Sequence, residues 1–185
     1  MAVSQLNDYT FETITTDIDF STSSSEDVVI AITKPIREVV RGRLYIDSDP
    51  GAFAAWATYT FYNKAAKRGE DAFYRTAAKM VYTECEVAPS GTTSLQLDDQ
   101  TDLSPNDLVY IMDGANSEFV RLKTIANICI AEDILASHDI DDGVSRVSEF
   151  SGFRLFNNEG GTNVYLRIAF AVAQTVSLKM ELMVR

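Results

Sequence analysis

Apolar and polar residues alternate with a period of two through most of this chain. The pattern is plain in Leu44-Tyr45-Ile46, Thr58-Tyr59-Thr60-Phe61-Tyr62, Leu95-Gln96-Leu97 and Leu108-Val109-Tyr110-Ile111. It continues in Phe119-Val120-Arg121-Leu122, Ile128-Cys129-Ile130, Val164-Tyr165-Leu166-Arg167-Ile168 and Val176-Ser177-Leu178-Lys179-Met180-Glu181-Leu182. Successive side chains of a strand point to opposite faces, so each run makes one apolar and one wetted surface. Tyr, Thr, Val and Ile dominate the runs and suit a pleated, half-buried surface. Turn residues cut them at Asp47-Ser48-Asp49-Pro50-Gly51, Pro89-Ser90-Gly91, Asp113-Gly114 and Asn157-Asn158-Glu159-Gly160-Gly161. Such spacing predicts an all-β fold with a β-sandwich or jelly-roll-like main domain. Two stretches fit helix as well as strand, residues 72–84 (AFYRTAAKMVYTE) and 52–57. Tyr74, Tyr82 and the Val-Tyr-Thr ending favour strand for the first.

Residues 89–134 open and close on loop-like residues and hold four short alternating runs joined by tight turns. They read as a small β-barrel-like module inserted into a main sandwich built from residues 1–88 and 144–185. Residues 135–143 then form an acidic linker, and one continuous sandwich is the competing organisation. Residues 1–27 are polar and acidic with spaced Tyr9, Phe11, Ile14, Ile18 and Phe20. They fit an extended arm that orders on a neighbouring subunit. Equally they fit a first strand of the same domain, with Phe11, Thr13 and Thr15 on one face and Ile14, Thr16 and Ile18 on the other.

Residues 92–134, TTSLQLDDQTDLSPNDLVYIMDGANSEFVRLKTIANICIAEDI, carry a finer pattern. A strand at residues 95–97 leads to an acidic turn, Asn106-Asp107-Leu108-Val109, Gly114, Glu118-Phe119-Val120-Arg121, and Ile125 with Ile130. This resembles a small β-module common in structural proteins of tailed bacteriophages, with Asn106 where Gly is usual. Asn tolerates the left-handed backbone such a turn needs. Residues 56–62 and 176–185 are loosely similar to phage head and neck proteins. The resemblance implies a virion structural protein, and within that class a capsid decoration or cement protein. Its expected partners are the major capsid protein or neighbouring virion subunits, its assembly a homotrimer, and its location the virion, assembled in the host cytoplasm. A neck, collar or tail-adaptor protein is the alternative within the same class. A carbohydrate-binding module engaging sugars through Trp56 and Tyr side chains is the alternative outside it.

Charge and composition narrow the field. A net charge of −11 repels polyanions, so nucleic acid is not an expected partner. The N-terminal residues lack the basic and apolar regions of a secretory signal, and no apolar run is long enough to span a bilayer, so no membrane partner is expected. Cys85 and Cys129 lie in alternating runs and read as buried, reduced thiols.

No motif announces catalysis. Gly-x-Ser-x-Gly and phosphate-loop patterns are missing, and His138 is the sole histidine. With 27 acidic residues, a carboxylate pair carries almost no specificity for glycoside hydrolysis. The expectation is therefore a protein without enzymatic activity, cofactor or metal. His138-Asp139-Ile140-Asp141-Asp142-Gly143 fails the calcium-loop pattern, because counting from Asp139 puts Gly143 at position five and Phe150 at position twelve. The one basic concentration holds Lys34, Arg37, Arg41 and Arg43. It reads as a docking stripe for an acidic subunit, or as the solvated face of strands whose other side holds Ile36, Val39 and Leu44. With Tyr9 and Phe11, these four are the candidate subunit contacts.

Overall fold

The computed structural model describes residues 12–31, 38–62, 72–86, 93–126, 128–132, 134–154 and 163–185. Its strands, in chain order, are β1 (Glu12–Ala31), β2 (Glu38–Ile46), β3 (Phe53–Tyr62), β4 (Ala72–Glu84) and β5 (Ser94–Leu95). They continue with β6 (Leu108–Met112), β7 (Glu118–Thr124), β8 (Cys129–Ala131), β9 (Gly143–Arg154) and β10 (Asn163–Val184). Every pairing is antiparallel. The all-β expectation holds, and both ambiguous stretches are strand, in β3 and β4. The two walls expected of a sandwich join into a closed ring of five strands, β10–β3–β4–β9–β2, with β2 returning to β10.

Closure depends on β10. Its residues 165–170 pair with β3, and residues 178–184 pair with β2. β1 follows β10 along both halves, with register shifts between Ser21 and Ser25. Thr22 has a φ of +61° there, and a bulge of this kind bends a ribbon and tightens its twist. Side-chain phase survives the bend: Val164, Leu166, Ile168 and Phe170 are buried before it, and Val176, Leu178, Met180, Leu182 and Val184 after it. Of the two readings of residues 1–27, the strand within the same domain describes residues 12–27. Ile18 and Phe20 enter the core while Thr13, Thr15, Asp17 and Asp19 face solvent.

Aromatic rings fill the barrel between β3, β4 and β9. Phe61, Tyr74, Phe150 and Phe153 meet with ring centres 4.5–6.3 Å apart, and Tyr59 packs 5.3 Å from Phe150. Gly42 of β2, paired with Phe150, leaves room for that ring. A Cβ at position 42 would lie 1.9 Å from Phe150 Cζ.

Residues 94–134 lie between β4 and β9 and have a core of their own. Leu95, Leu97, Val109, Ile111, Val120, Leu122, Cys129, Ala131 and Ile134 close on Val81 from β4, Cys85 just after it and Val144 from β9. β6 also pairs with β9, so this part is hydrogen-bonded into the main sheet. Asn106 takes the left-handed backbone its turn position calls for, at φ +73°. A third cluster bridges the two cores: Tyr45 of β2 packs 4.6 Å from Tyr110 and 5.3 Å from Phe119.

Cys85 and Cys129 are both buried free thiols in the second core. Burial, with the carboxylates of Asp142 and Asp98 adding to it, pushes the Cys85 thiol up to about 12. Burial also raises Cys129. At pH 8 a thiol near 12 is ionised on the order of a thousandfold less than a free one near 8.5. Folded protein is therefore expected to leave a thiol-specific chromogenic disulfide reagent unreacted at pH 8, and to react at both cysteines in concentrated urea. Fast labelling of either thiol without denaturant would contradict the packing of this core.

Candidate functional site

Of the six candidate contact residues, Arg41 and Arg43 lie among the described residues; Lys34, Arg37, Tyr9 and Phe11 lie outside them. The two arginines stand two positions apart on β2 and so share a face. With Thr13, Glu181 and Met183 they border a cleft of about 240 Å³. Arg41 is exposed. Arg43 turns inward, its guanidinium 4.6 Å from the centre of the Phe119 ring, 3.6 Å from Glu149 and 4.0 Å from Glu181. A guanidinium over an aromatic face is attracted by the ring's negative π surface. Arg43 thus ties the barrel to β7 within one chain, while Arg41 faces outward.

Trp56 is 62% exposed on β3, across from Lys79 of β4. A groove of about 350 Å³ runs beside it, lined also by Asp107, Arg121, Arg146 and Glu149. Its charges are largely matched. Arg146 Nε lies 3.0 Å from Asp107, Arg121 Nη2 lies 2.8 Å from Glu149, and Lys79 Nζ lies 2.5 Å from Asp102.

The residues expected to be an acidic linker, 135–143, are docked against the β6–β7 hairpin. Glu118, the first residue of β7, gathers them. Its carboxylate accepts the backbone N–H of Leu135 at 3.1 Å, the N–H of Ala136 at 2.9 Å, and Nε2–H of His138 at 2.9 Å. Burial would raise the pKa of Glu118, but hydrogen bonds from Ala136, His138 and Leu135 outweigh it and hold the carboxyl below its ordinary value. Ile134 anchors one end of the segment in the second core. The other end is clasped by Cys85, whose N–H donates to Asp142 O and whose carbonyl accepts from Asp141 N–H, both at 2.9 Å. The acidic linker is thus held by one carboxylate facing several donors as well as at both of its ends.

His138 is the centre of this region, 3% exposed. With Glu118 accepting at Nε2, that nitrogen carries a proton, so the neutral form of the imidazole has its lone pair on Nδ1. Nδ1 is buried without a hydrogen-bond partner. It faces two more carboxylates, Asp113 Oδ2 at 3.4 Å and Asp142 Oδ2 at 3.9 Å. Asp113 stands at the entry of the hairpin turn, where its N–H donates to Ser117 Oγ and its Oδ2 accepts from Asn116 Nδ2. Asp142 Oδ2 accepts the N–H of Asp139 at 2.7 Å.

Sequence reasoning singled out the segment holding His138 and Asp142 but not its partners. Asp113 and Glu118 lie 25 and 20 positions upstream, in a hairpin whose pattern points to a β-module and not to a ligand site. The available signal was that the sole histidine stands among acidic residues. No protein-family model matches the chain, and neither the curated proteins nor the solved structures contain a significant match to it.

Proposed function

We propose that this protein is a non-catalytic structural subunit of a virion, stabilising a phage capsid by binding its outer surface. The observation that carries the reading is the free edge of β1. Among the described residues β1 pairs with β10 and has no strand on its other side along Glu12–Ala31. An edge of that length offers a row of backbone donors and acceptors to a strand of another subunit. Exposed apolar side chains add anchors, with Val29 and Val172 on the β1–β10 ribbon and Leu135, 85% exposed, beside the docked loop. The resemblance of residues 92–134 to a phage structural module supports the virion context. A rigid, interlocked surface lowers the ordering cost of each contact, and symmetry multiplies a modest contact over a shell.

Native mass spectrometry of the isolated chain, combined with co-sedimentation on expanded capsid shells, tests this. A monomer or trimer that pellets with the shells is the expected result. A six- or twelve-fold ring that ignores them overturns the capsid reading in favour of a neck or tail-adaptor subunit. One observation favours a second reading, glycan binding: Trp56 presents an exposed ring beside a groove with polar walls. Glycan binding lost in Trp56→Ala with an unchanged melting temperature would select it.

A further inference from the structure

We propose that Asp113, His138 and Asp142 bind a divalent transition-metal ion, zinc or a close relative, through Nδ1 of the imidazole and one carboxylate oxygen from each aspartate. Three observations converge. The three ligand atoms lie within 4.8 Å of one another. The imidazole is buried, and its Nδ1 has no hydrogen-bond partner while facing both carboxylates. Glu118 holds the opposite nitrogen at 2.9 Å and so sets which one carries the lone pair.

A lone pair aimed at two anionic oxygens is repelled by them unless a cation sits between. A metal ion between them supplies that cation, and Nδ1 has no hydrogen-bond partner that it would have to displace. Two ligand atoms each about 2.1 Å from a tetrahedral ion stand about 3.4 Å apart. The Nδ1–Asp113 separation already has that value, and the 3.9 Å separation to Asp142 closes with a shift of a few tenths of an ångström.

The donor set chooses the ion. Calcium and magnesium favour oxygen cages, whereas an imidazole beside carboxylates suits zinc and its first-row neighbours. A ligating histidine whose other nitrogen donates to a carboxylate is a recurrent support in such sites, and Glu118 fills that role. The ligand carboxylates, 26% and 19% exposed, leave the remaining coordination to water. Because Asp113 belongs to the β6–β7 turn and Asp142 directly precedes β9, the ion would tie that turn to the segment leading into β9. Its role is structural, and it stands independently of the capsid reading.

The test is calorimetric titration of the EDTA-stripped full chain near neutral pH with Zn²⁺, and separately with Co²⁺ and Ca²⁺. Asp113→Asn, Asp142→Asn and the distant Asp19→Asn are titrated in parallel, with circular dichroism confirming that each is folded. The expected result is one Zn²⁺ or Co²⁺ per chain, a higher melting temperature on binding, and a visible Co²⁺ absorption band. Affinity should fall by about tenfold or more in Asp113→Asn and Asp142→Asn and stay unchanged in Asp19→Asn. The asparagine variants keep the shape of the loop, so the outcome does not depend on replacing His138. Absence of saturable Zn²⁺ and Co²⁺ binding, binding that both loop variants leave unchanged, or tighter binding of Ca²⁺ overturns the proposal.

Discussion

Phe150→Ala is expected to lower the melting temperature by about 6–20 °C. Removing a buried Phe side chain costs about 3–5 kcal/mol, and each kcal/mol moves the midpoint of a chain this long by about 2–4 °C. The upper part of that range is favoured by what Phe150 touches. Its ring packs against Tyr59, Phe61 and Tyr74, and it covers the glycine of the neighbouring strand, so a cavity would open on several sides. Phe150 also stands in the β2–β9 pairing that helps close the ring of strands. The reciprocal change, Gly42→Ala, crowds the same ring from below, because the added Cβ would sit within 2.6 Å of three of its carbons. Overpacking of this kind costs about 1–3 kcal/mol. Combined in one chain, the two substitutions should cost less than their sum, since alanine at 42 occupies space that the ring has vacated. Scanning calorimetry of both single variants and the double variant measures all three. Strict additivity, or a Phe150→Ala midpoint within about 2 °C of the parent, would mean that this contact does not close the barrel.

Glu118→Ala should cost about 1–3 kcal/mol, the range for leaving buried or half-buried hydrogen-bonding groups without their partner. Its carboxylate is the acceptor for the N–H groups of Leu135 and Ala136 and for the imidazole of His138. With it gone, two backbone donors must find water, and a buried ring nitrogen loses its acceptor. The damage should be local before it is global. Hydrogen exchange at Leu135 and Ala136 should accelerate strongly, while amides in the β3–β4 pairing keep their protection. Glu118→Gln, which retains an acceptor oxygen, should fall between the parent and the alanine variant. Unchanged exchange at Leu135 and Ala136 in the alanine variant would show that the loop is held by Ile134 and Cys85 instead.

These two residues differ in how far sequence reasoning reached them. Phe150 lies in β9, whose apolar residues Val144, Val147, Phe150 and Phe153 come every third position rather than every second, and nothing near it in the chain indicates that Gly42 is its neighbour. Glu118 was visible as part of a hairpin, but its acceptor role depends on a segment that folds back from 17 to 20 residues further on. Arg43 shows the same division. Its place on a basic stripe was legible, whereas its inward turn onto Phe119 follows from β2 and β7 meeting in space. The acidic, turn-rich composition of residues 135–143 marks a linker but does not say what that linker packs against.

Local pattern thus sufficed for most of the strands, for the buried side of β7 and β10 and for the left-handed turn at Asn106, because these follow from backbone stereochemistry and from side-chain spacing along a pleat. Which strand lies beside which is another matter. The pairing of Asp19 with Ser177, like the ring closure and the meeting of Asp113 with His138, joins positions far apart in the chain. Such contacts are set by the joint packing of all the apolar faces, and many registers share one alternating pattern until that packing selects among them.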